Sequence, residues 1–279
     1  MRVAYLGPAG TFSEEALRAI PLGRDPATEA VPTPTIYAAV LAVHEGSAER
    51  AIVPIENALE GSVTITLDTL ALEHRDVVIV GESVLPVSQC LIAREPIPLD
   101  EIRTVLSHPH ASAQCVQFLR SRLPDAEVLA ARSTAEAVQR VAAGGEGLAA
   151  LGSRHSAELY GCAVLRAQVE DVAGNETRFA LLAPRGTTAE GPGPWKTSVV
   201  FWGIGAESPG WLVGCLSEFA FRGVNLTRIE SRPRKQGLGR YMFFVDLEGR
   251  RDDDDVAGAL EAVVGKTDEL LLLGSYPAA

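Results

Sequence analysis

The amino-acid sequence predicts an α/β protein in two parts, an α/β domain over residues 1–186 followed by a ferredoxin-like domain over residues 195–279. Three observations lead to this prediction. As far as about residue 185, short apolar runs alternate with helical patterns, which indicates βα units and mainly parallel sheets. Residues 184–194 are rich in glycine and proline and cannot sustain regular hydrogen bonding. Beyond them, a β-α-β-β-α-β pattern is typical of a ferredoxin-like module.

The elements of the first part follow from hydrophobic periodicity. Strands are predicted over residues 3–6, 51–55, 104–106, 127–129 and 147–151, and helices from residue 13 and over residues 64–73, 111–119 and 134–143. The apolar stretch 77–93, interrupted by Pro86, and a second near 162–169 are interpreted as crossings between two lobes. Lobe one is therefore predicted over about residues 1–76 and 166–186, and lobe two over about residues 77–165.

The elements of the second part are also predicted from hydrophobic periodicity. Strands are predicted over residues 198–202, 225–231, 241–247 and 270–273, and helices over residues 209–222 and 256–264. The order of these elements gives the ferredoxin-like prediction.

Composition limits the possible functions. The chain has 279 residues, of which 47% are hydrophobic and 22% charged, as in ordinary globular proteins. Its 36 acidic and 25 basic residues give a net charge of −11, which argues against nucleic-acid or anionic-membrane partners because the long-range attraction has the wrong sign. An anionic ligand would need local donors. No segment reaches the roughly 18 apolar residues of a membrane span.

The cysteines indicate the compartment. No C-x-x-C pair is present, and each cysteine lies in an apolar or helical setting. The four are Cys90, Cys115, Cys162 and Cys215. Reduced core thiols and a cytoplasmic location are therefore predicted.

A glycine-rich turn joins the first strand to the first helix. It contains Thr11-x-x-Glu14, a capping box. Two interpretations stay open: a simple helix start, or a site where the backbone N–H groups around Gly10 and Ser13 hold a carboxylate. Ser133-x-x-Glu136 is also a capping box and is interpreted as structural because it lacks the glycine-rich approach.

Polar side chains follow two further strands. Glu56 and Asn57 end one strand, and ligands of α/β folds bind outside the carboxyl ends of strands. Ser107 ends another strand and is predicted to cap the next helix, with Gln114 two turns along it. The neighbouring histidines do not favour a metal or Ser-His site, because no carboxylate stands at ligand spacing and no G-x-S-x-G elbow is present.

The segment Asn-Glu-Thr-Arg-Phe, residues 175–179, precedes the apolar run 180–183. Buried polar groups are costly without partners. Either these side chains cap one another at the edge of a strand, or they face something polar that is not protein.

Together these motifs resemble the prephenate dehydratase family. The matching segments are Gly-Pro-Ala-Gly-Thr-Phe-Ser-Glu-Glu-Ala from Gly7, Pro-Ile-Glu-Asn-x-x-Glu-Gly-Ser-Val from Pro54, Ser-His-Pro-x-Ala-x-x-Gln-Cys from Ser107, and Thr-Arg-Phe from Thr177. Residues 223–233 resemble the family's ACT regulatory domain. The resemblance implies a catalytic domain of two lobes like those of periplasmic binding proteins, with the site in the cleft, and conversion of prephenate to phenylpyruvate in phenylalanine biosynthesis. It implies no cofactor and no metal.

The resemblance also implies roles for individual residues. The catalytic set carried over is Thr177, Ser107, Gln114, Asn57 and Glu56, and the substrate-binding set is Gly10, Thr11, Ser13, Arg178 and Phe179. Arg178 either contacts a substrate carboxylate or points to the opposite face of its strand and forms an ion pair. His110 is a departure, because the family often has Gln there.

The ACT resemblance implies phenylalanine as an allosteric effector, bound across a homodimer or within a homotetramer. The implied effector residues are Pro209, Gly210, Trp211, Leu212, Val213, Asn225, Leu226, Glu230, Ser231, Arg232 and Pro233. Trp211 is a departure, because the family usually has a small residue there, and an indole would narrow the pocket or change which amino acid fits. A purely structural dimerisation module is the alternative.

Two other functions stay open at this point. Arogenate dehydratase acts on the amino-acid analogue of the same ring, and a carboxylate such as Glu56 facing the ammonium group would favour it. A sensor that has lost catalysis is the second alternative, against which the retained catalytic set argues. No helical mutase domain precedes Met1, so fused chorismate mutase activity is not expected.

Overall fold

The structure is a computed structural model that describes residues 1–203 and 208–279. The strands are β1 (Arg2–Leu6), β2 (Glu29–Thr33), β3 (Arg50–Asn57), β4 (Gly61–Ser62), β5 (Val77–Pro86), β6 (Cys90–Ala93), β7 (Thr104–Ser107), β8 (Glu127–Ala130), β9 (Leu148–Gly152), β10 (Ala163–Arg166), β11 (Glu176–Pro184), β12 (Trp195–Trp202), β13 (Leu226–Pro233), β14 (Tyr241–Glu248) and β15 (Glu269–Pro277).

The helices are α1 (Phe12–Ala19), α2 (Pro21–Arg24), α3 (Ile36–His44), α4 (Thr64–Asp68), α5 (Pro109–Gln114), α6 (Val116–Arg122), α7 (Thr134–Ala142), α8 (Arg154–Tyr160), α9 (Trp211–Ala220) and α10 (Asp254–Val264). A π-helical turn covers Thr69–Glu73, and a 3₁₀ turn covers Leu99–Glu101. The mixed α/β class is confirmed. Within the described ranges, no helix is long and apolar enough to cross a membrane.

The chain forms two compact units. The first comprises Met1–Ala39, Ile52–Gly61 and Val84–Phe179, and the second comprises Val40–Ala51, Ser62–Ser83 and Ala180–Ala279. The domain and lobe boundaries given above stay predictions.

The first unit contains two sheets. In one, the strands lie in the order β11-β3-β1-β2, with β1 parallel to β2. Helix α1 packs Ala16 and Leu17 against Val3, Tyr5 and Ile52. The carboxyl ends of β1 and β3 thereby present their following residues at one edge of the sheet.

The second sheet of this unit has the order β10-β6-β9-β7-β8. Successive strand residues face opposite sides, so two hydrophobic clusters form. Ile92 and Ala150 face the cluster that contains α7, while Leu91 and Leu151 face the cluster that contains Leu119 of α6. Helices therefore cover both faces, as a sheet with two apolar faces requires.

Two local predictions were wrong. The helix predicted over residues 111–119 is two helices, α5 and α6, because Cys115 leaves helical geometry (φ −121°, ψ 23°) and the carboxylate of Asp171 accepts the N–H of Gln117 at 3.1 Å, which caps α6. Ser107 does not cap α5. The N-cap is His108, whose Nδ1 accepts the N–H of His110 at 3.3 Å.

The second unit contains the ferredoxin-like module, which is confirmed. Its strands lie in the order β13-β14-β12-β15, and α9 and α10 pack on one another. Phe201, Phe219 and Val245 are central to its core. Strand β15 pairs with β5 through Gly274 and Ile79. All four cysteines of the chain are free thiols, three of them buried.

Candidate active site

A cavity of about 290 Å³ lies in the first unit, at the carboxyl ends of β1, β3, β7 and β8. Its lining combines apolar side chains with amide, hydroxyl, imidazole and carboxyl groups. The lining residues include Thr11, Phe12, Ser13, Asn57, Glu60, His108, His110, Gln114, Arg132, Ser133, Thr134, Asn175, Thr177 and Phe179. An apolar lining with a few polar groups is typical of a site for a small molecule.

Asn57 and Thr177 form the centre of the site. The Asn57 amide Nδ2 donates to Thr177 Oγ1 at 2.8 Å and to Asn175 Oδ1 at 2.9 Å. Its Oδ1 accepts the backbone N–H groups of Leu59 and Glu60, each at 3.0 Å. Because backbone N–H groups can only donate, they fix which end of the amide is oxygen. Thr177 therefore receives a hydrogen bond from Asn57, and its own proton is available to a ligand.

Strand alternation separates the residues of the Thr-Arg-Phe motif. Thr177 and Phe179 line the cavity, whereas Arg178 points away from it and lies 3.3 Å from a carboxylate oxygen of Glu56. Neither Arg178 nor Glu56 is among the lining residues. This geometry favours the ion-pair interpretation of Arg178 over contact with a substrate.

Gln114 reaches the cavity from α5. Its Nε2 donates to a carboxylate oxygen of Glu60 at 3.4 Å, and His110 Nδ1 lies 3.5 Å from the other oxygen. Ser107 has a different environment: it is fully buried, its Oγ has no hydrogen-bond partner among the described residues, and it is not a lining residue. Burial and the neighbouring His110 lower the pKa of His108 below its ordinary value.

The first turn of α1 also faces the cavity. Thr11 caps the helix, with its Oγ1 accepting the N–H of Glu14 at 3.4 Å, which is one half of the predicted capping box; the Glu14 carboxylate reaches back one residue further, to Gly10. Phe12 and Ser13 line the cavity, and first-turn N–H groups have no acceptor within the helix. The N–H of Gly10 is engaged, however, because it donates to the Glu14 carboxylate at 2.6 Å. Gly10 has φ +87° and is not a lining residue.

Several lining residues were not predicted. Arg132, Ser133 and Thr134 stand at the start of α7, where Ser133 Oγ accepts the Glu136 N–H at 3.0 Å, one half of the predicted capping box, while the Glu136 carboxylate accepts the N–H of Arg132 at 2.9 Å. Arg132 is the one arginine among the lining residues described, and it pairs with Glu136. The end of the strand predicted over residues 127–129 is the sequence signal from which this loop could have been found.

Comparison with known proteins identifies the family. The family model for prephenate dehydratase matches residues 3–187, and the model for the ACT domain matches residues 209–265. The chain belongs to the prephenate dehydratase family. A prephenate dehydratase of Amycolatopsis methanolica is 42% identical over 276 residues, which cover 99% of this chain and 88% of the relative.

Two solved structures extend this family relationship. The crystal structure of prephenate dehydratase from Arthrobacter aurescens in complex with L-Phe has a TM-score of 0.89 and 36% identity, covering 99% of this chain and 90% of that one. A second structure, GqqA, described as a novel type of quorum quenching acylase, has a TM-score of 0.85 and 30% identity, covering 100% of this chain and 98% of that one.

The ACT domain of this prephenate dehydratase family member has a cavity of its own, of about 260 Å³. It is lined by Ser208, Gly210, Trp211, Leu212, Val213, Gly239, Tyr241 and Phe243. The Trp211 indole packs edge-on against Phe201 and donates from Nε1 to the carbonyl of Lys266 at 2.7 Å. The ring therefore forms part of the cavity wall.

The residues of the implied effector set from Asn225 onwards are not among the lining residues of this cavity. Asn225 is exposed, and Leu226 packs on the core of the module. Glu230 and Arg232 contact residues of α4 and the segment before it, as described below. The structure thus brings together Gly210, Trp211, Leu212 and Val213 but not the residues of β13.

Proposed function

We propose that the chain catalyses the decarboxylative dehydration of prephenate to phenylpyruvate, as its relatives' names suggest. The observation that carries this proposal is the hydrogen bond from Asn57 to Thr177 at the wall of a cavity lined by Thr177 and Gln114. The arrangement supplies donors to a departing hydroxyl group and no nucleophile is needed for the reaction.

Prephenate carries two carboxylates and a ring hydroxyl, and the reaction removes one carboxylate as CO₂ and the hydroxyl as water. The electron pair of the bond between the ring and the carboxylate moves into the ring as CO₂ leaves, the ring double bonds shift, and the C–O bond breaks with its pair on oxygen. That oxygen takes up one proton and leaves as water. The ring becomes aromatic, so the enzyme needs to orient the carboxylate and assist departure of the hydroxyl.

Thr177 is the proposed donor to the leaving oxygen. Because its Oγ1 already accepts from Asn57, its O–H is directed to another acceptor, and the leaving hydroxyl fits this role. A threonine hydroxyl is too weak an acid to give up its proton alone, so it acts as a hydrogen-bond clamp or one member of a relay. The first turns of α1 and α7 are proposed to hold the carboxylates through their backbone N–H groups.

A direct assay tests the proposal. Purified protein is incubated with prephenate, and phenylpyruvate formation is followed, with the Thr177→Val variant as the control for a contaminating enzyme. Turnover that depends on Thr177 supports the function. Absence of phenylpyruvate from folded wild-type protein would refute it.

One observation favours a second substrate. Glu60 is a carboxylate of the cavity lining, whereas Glu56 is not. A carboxylate facing the substrate's side chain would attract the ammonium group of arogenate. Running the same assay with arogenate, and following phenylalanine formation, separates the two substrates.

Phenylalanine is the proposed effector, bound at residues 210–213 between two copies of the chain in a homodimer or homotetramer. Exposed apolar residues of the ACT domain support association with a second copy. They include Val213 at 66%, Phe221 at 82% and Ile229 at 48% exposure. An effector acts through its different affinities for two quaternary states, and inhibition is the expected direction. A cytoplasmic location remains part of this proposal.

A further inference from the structure

Side-chain hydrogen bonds and an ion pair connect strand β13 to the chain segment that follows Asn57. Three alternate residues of β13, Arg228, Glu230 and Arg232, are half-buried, and the residues between them are exposed. Alternate residues of a strand lie on one face. This face contacts Ser62 and Asp68, both in the same compact unit as β13.

The contact at Ser62 uses both hydrogen-bonding abilities of a hydroxyl. Ser62 Oγ accepts from Arg228 Nη2 at 2.7 Å and donates to Glu230 Oε2 at 3.1 Å. The hydroxyl is thus held between a cation and an anion of the same strand face. This satisfies its donor and one of its acceptor sites.

The contact at Asp68 is ionic. Asp68 is 4% exposed, and its two carboxylate oxygens accept from Arg232 Nε at 3.2 Å and Nη2 at 2.9 Å. Lys235 Nζ lies 3.0 Å from the same carboxylate. Burial raises the pKa of Asp68, but Arg232 and Lys235 outweigh it and hold that pKa below its ordinary value. A bidentate pair of this kind fixes orientation as well as distance.

The segment held in this way leads directly from the candidate catalytic residue. The Asn57 side chain closes a turn over Leu59 and Glu60, Gly61 continues it with φ +78°, and Ser62 follows. Helix α4 then ends at Asp68, where the helix changes from α to π geometry. Such π-helical turns are frequent at functional sites.

We propose that Arg232, through the carboxylate of Asp68, is a positioning residue for Asn57, so that the ACT domain helps to set the catalytic hydrogen bond to Thr177. This inference rests on the proposed function. It gives Glu230 and Arg232 a role different from effector binding. Occupancy of the effector site would change activity by altering the position of β13 relative to α4. A small misplacement of a catalytic group from a remote change can lower the rate by about 10²-fold.

The test uses the full chain and five variants, of which the fifth is Arg232→Lys. Asp68→Asn, Arg232→Gln and the double variant remove the charged pair, and Arg251→Gln is a matched control because its ion pair with Asp252 is exposed. Loss of one partner of a buried pair is strongly destabilising, so the double variant, which leaves no unpaired charge from this pair, is the decisive one. Thermal unfolding checks that each protein is folded before kcat and KM for prephenate are measured.

We expect kcat to fall about tenfold in the double variant, while KM stays within about twofold of the wild-type value. Each single variant should lose at least as much kcat as the double variant, so that the two single effects do not add. Arg232→Lys, which keeps the charge but loses the bidentate geometry, should recover part of kcat. Calorimetry should still detect phenylalanine binding in the double variant, while its activity no longer responds to phenylalanine.

Three results would overturn the inference. One is a folded double variant with wild-type kcat, and another is a pair of single effects that simply add. The third is loss of phenylalanine binding with unchanged kcat, which would make Arg232 an effector ligand. Lack of turnover in the wild type would instead refute the proposed function.

Discussion

Asn57 donates its amide hydrogen to the hydroxyl of Thr177 at 2.8 Å, although 120 positions separate the two residues in sequence. The backbone N–H groups of Leu59 and Glu60 hold the other end of the same amide. Orientation of the Thr177 proton is therefore set by the turn that follows β3. Substitutions at both ends of this hydrogen bond test its importance.

Thr177→Val keeps the shape of the side chain and removes the hydroxyl. We expect kcat for prephenate to fall by about 10²-fold or more, the scale of a lost general acid or hydrogen-bond donor in the transition state. Thr177→Ser should retain much more activity because it keeps the hydroxyl. Equal kcat in folded Thr177→Val and wild type would remove this group from the mechanism.

Asn57→Asp replaces the donating amide nitrogen by a second acceptor oxygen. The hydrogen bonds to Thr177 Oγ1 and Asn175 Oδ1 are then lost, while the acceptor for the Leu59 and Glu60 N–H groups is kept. We expect kcat to fall about 10²-fold, with less change in thermal stability than for Asn57→Ala. Steady-state kinetics and thermal unfolding are measured for both variants. A fully active Asn57→Asp protein would contradict the proposed role of the Asn57 amide.

The sequence predicted much of this site because its residues stand at strand ends. The ends of β1, β3 and β7 could be located from short apolar runs, and side chains that follow such ends meet at one edge of a sheet. Local periodicity could not reveal residues brought in by tertiary contacts. Glu60 belongs to the site through its contact with Gln114. Helix α6 begins at Val116 because Asp171, 54 positions from Gln117 in the sequence, caps it.

The pleat of a strand explains the other differences. Motifs group consecutive residues, but consecutive strand residues face opposite sides. Arg178 is for this reason separated from Thr177 and Phe179, and Arg232 from Ser231 and Pro233. Strand β2 and helix α3 were not predicted, because β2 is largely exposed and contains Pro32, and α3 is apolar around most of its circumference.

Removal of metal ions should leave activity unchanged. The cavity supplies hydrogen bonds and charge from side chains and helix ends, and aromatisation drives the reaction. Among the described residues, the three side chains grouped closely enough to hold an ion are His44, His74 and Asp76, in the second unit. We expect the same kcat before and after exhaustive chelation, and the same kcat in His44→Ala. A loss of turnover that added divalent ion restores would overturn this mechanism.

Glu14 should make stability depend on pH in the acid range. Burial raises its pKa, but the Gly10 N–H and the Arg18 guanidinium lower it more, so the folded-state pKa is below the ordinary value of 4.5. A carboxyl with a depressed pKa stabilises the fold above its unfolded-state pKa, and this contribution is lost as pH falls through the folded-state pKa.

Glu14→Gln should therefore unfold more easily than wild type at pH 7, and the difference in free energy of unfolding should shrink as the pH falls below about 4. Urea unfolding at a series of pH values measures this difference in free energy of unfolding, and Glu261→Gln, at an exposed position, is the control. A difference that stays constant from pH 7 to pH 3 would show that the Glu14 charge does not contribute.

The last prediction concerns the effector cavity at the start of α9. Gly210 has φ +83° and caps this helix, so a side chain there is strained in backbone conformation, although the space around its Cβ position is open. Gly210→Val should therefore displace the first N–H groups of α9, which are the proposed donors to the carboxylate of phenylalanine. We expect calorimetry to detect phenylalanine binding to the wild type and at least tenfold weaker binding to Gly210→Val, with prephenate turnover in the absence of effector retained. Gly214→Ala is the matched control, because Gly214 lies within the same helix, has open space around it and has no positive φ. Identical binding in all three proteins, or no binding to the wild type at millimolar phenylalanine, would reject the site. A third result, weak phenylalanine binding to the wild type together with stronger binding of a smaller amino acid, would show that Trp211 determines which effector binds, because its indole forms part of the wall of this cavity.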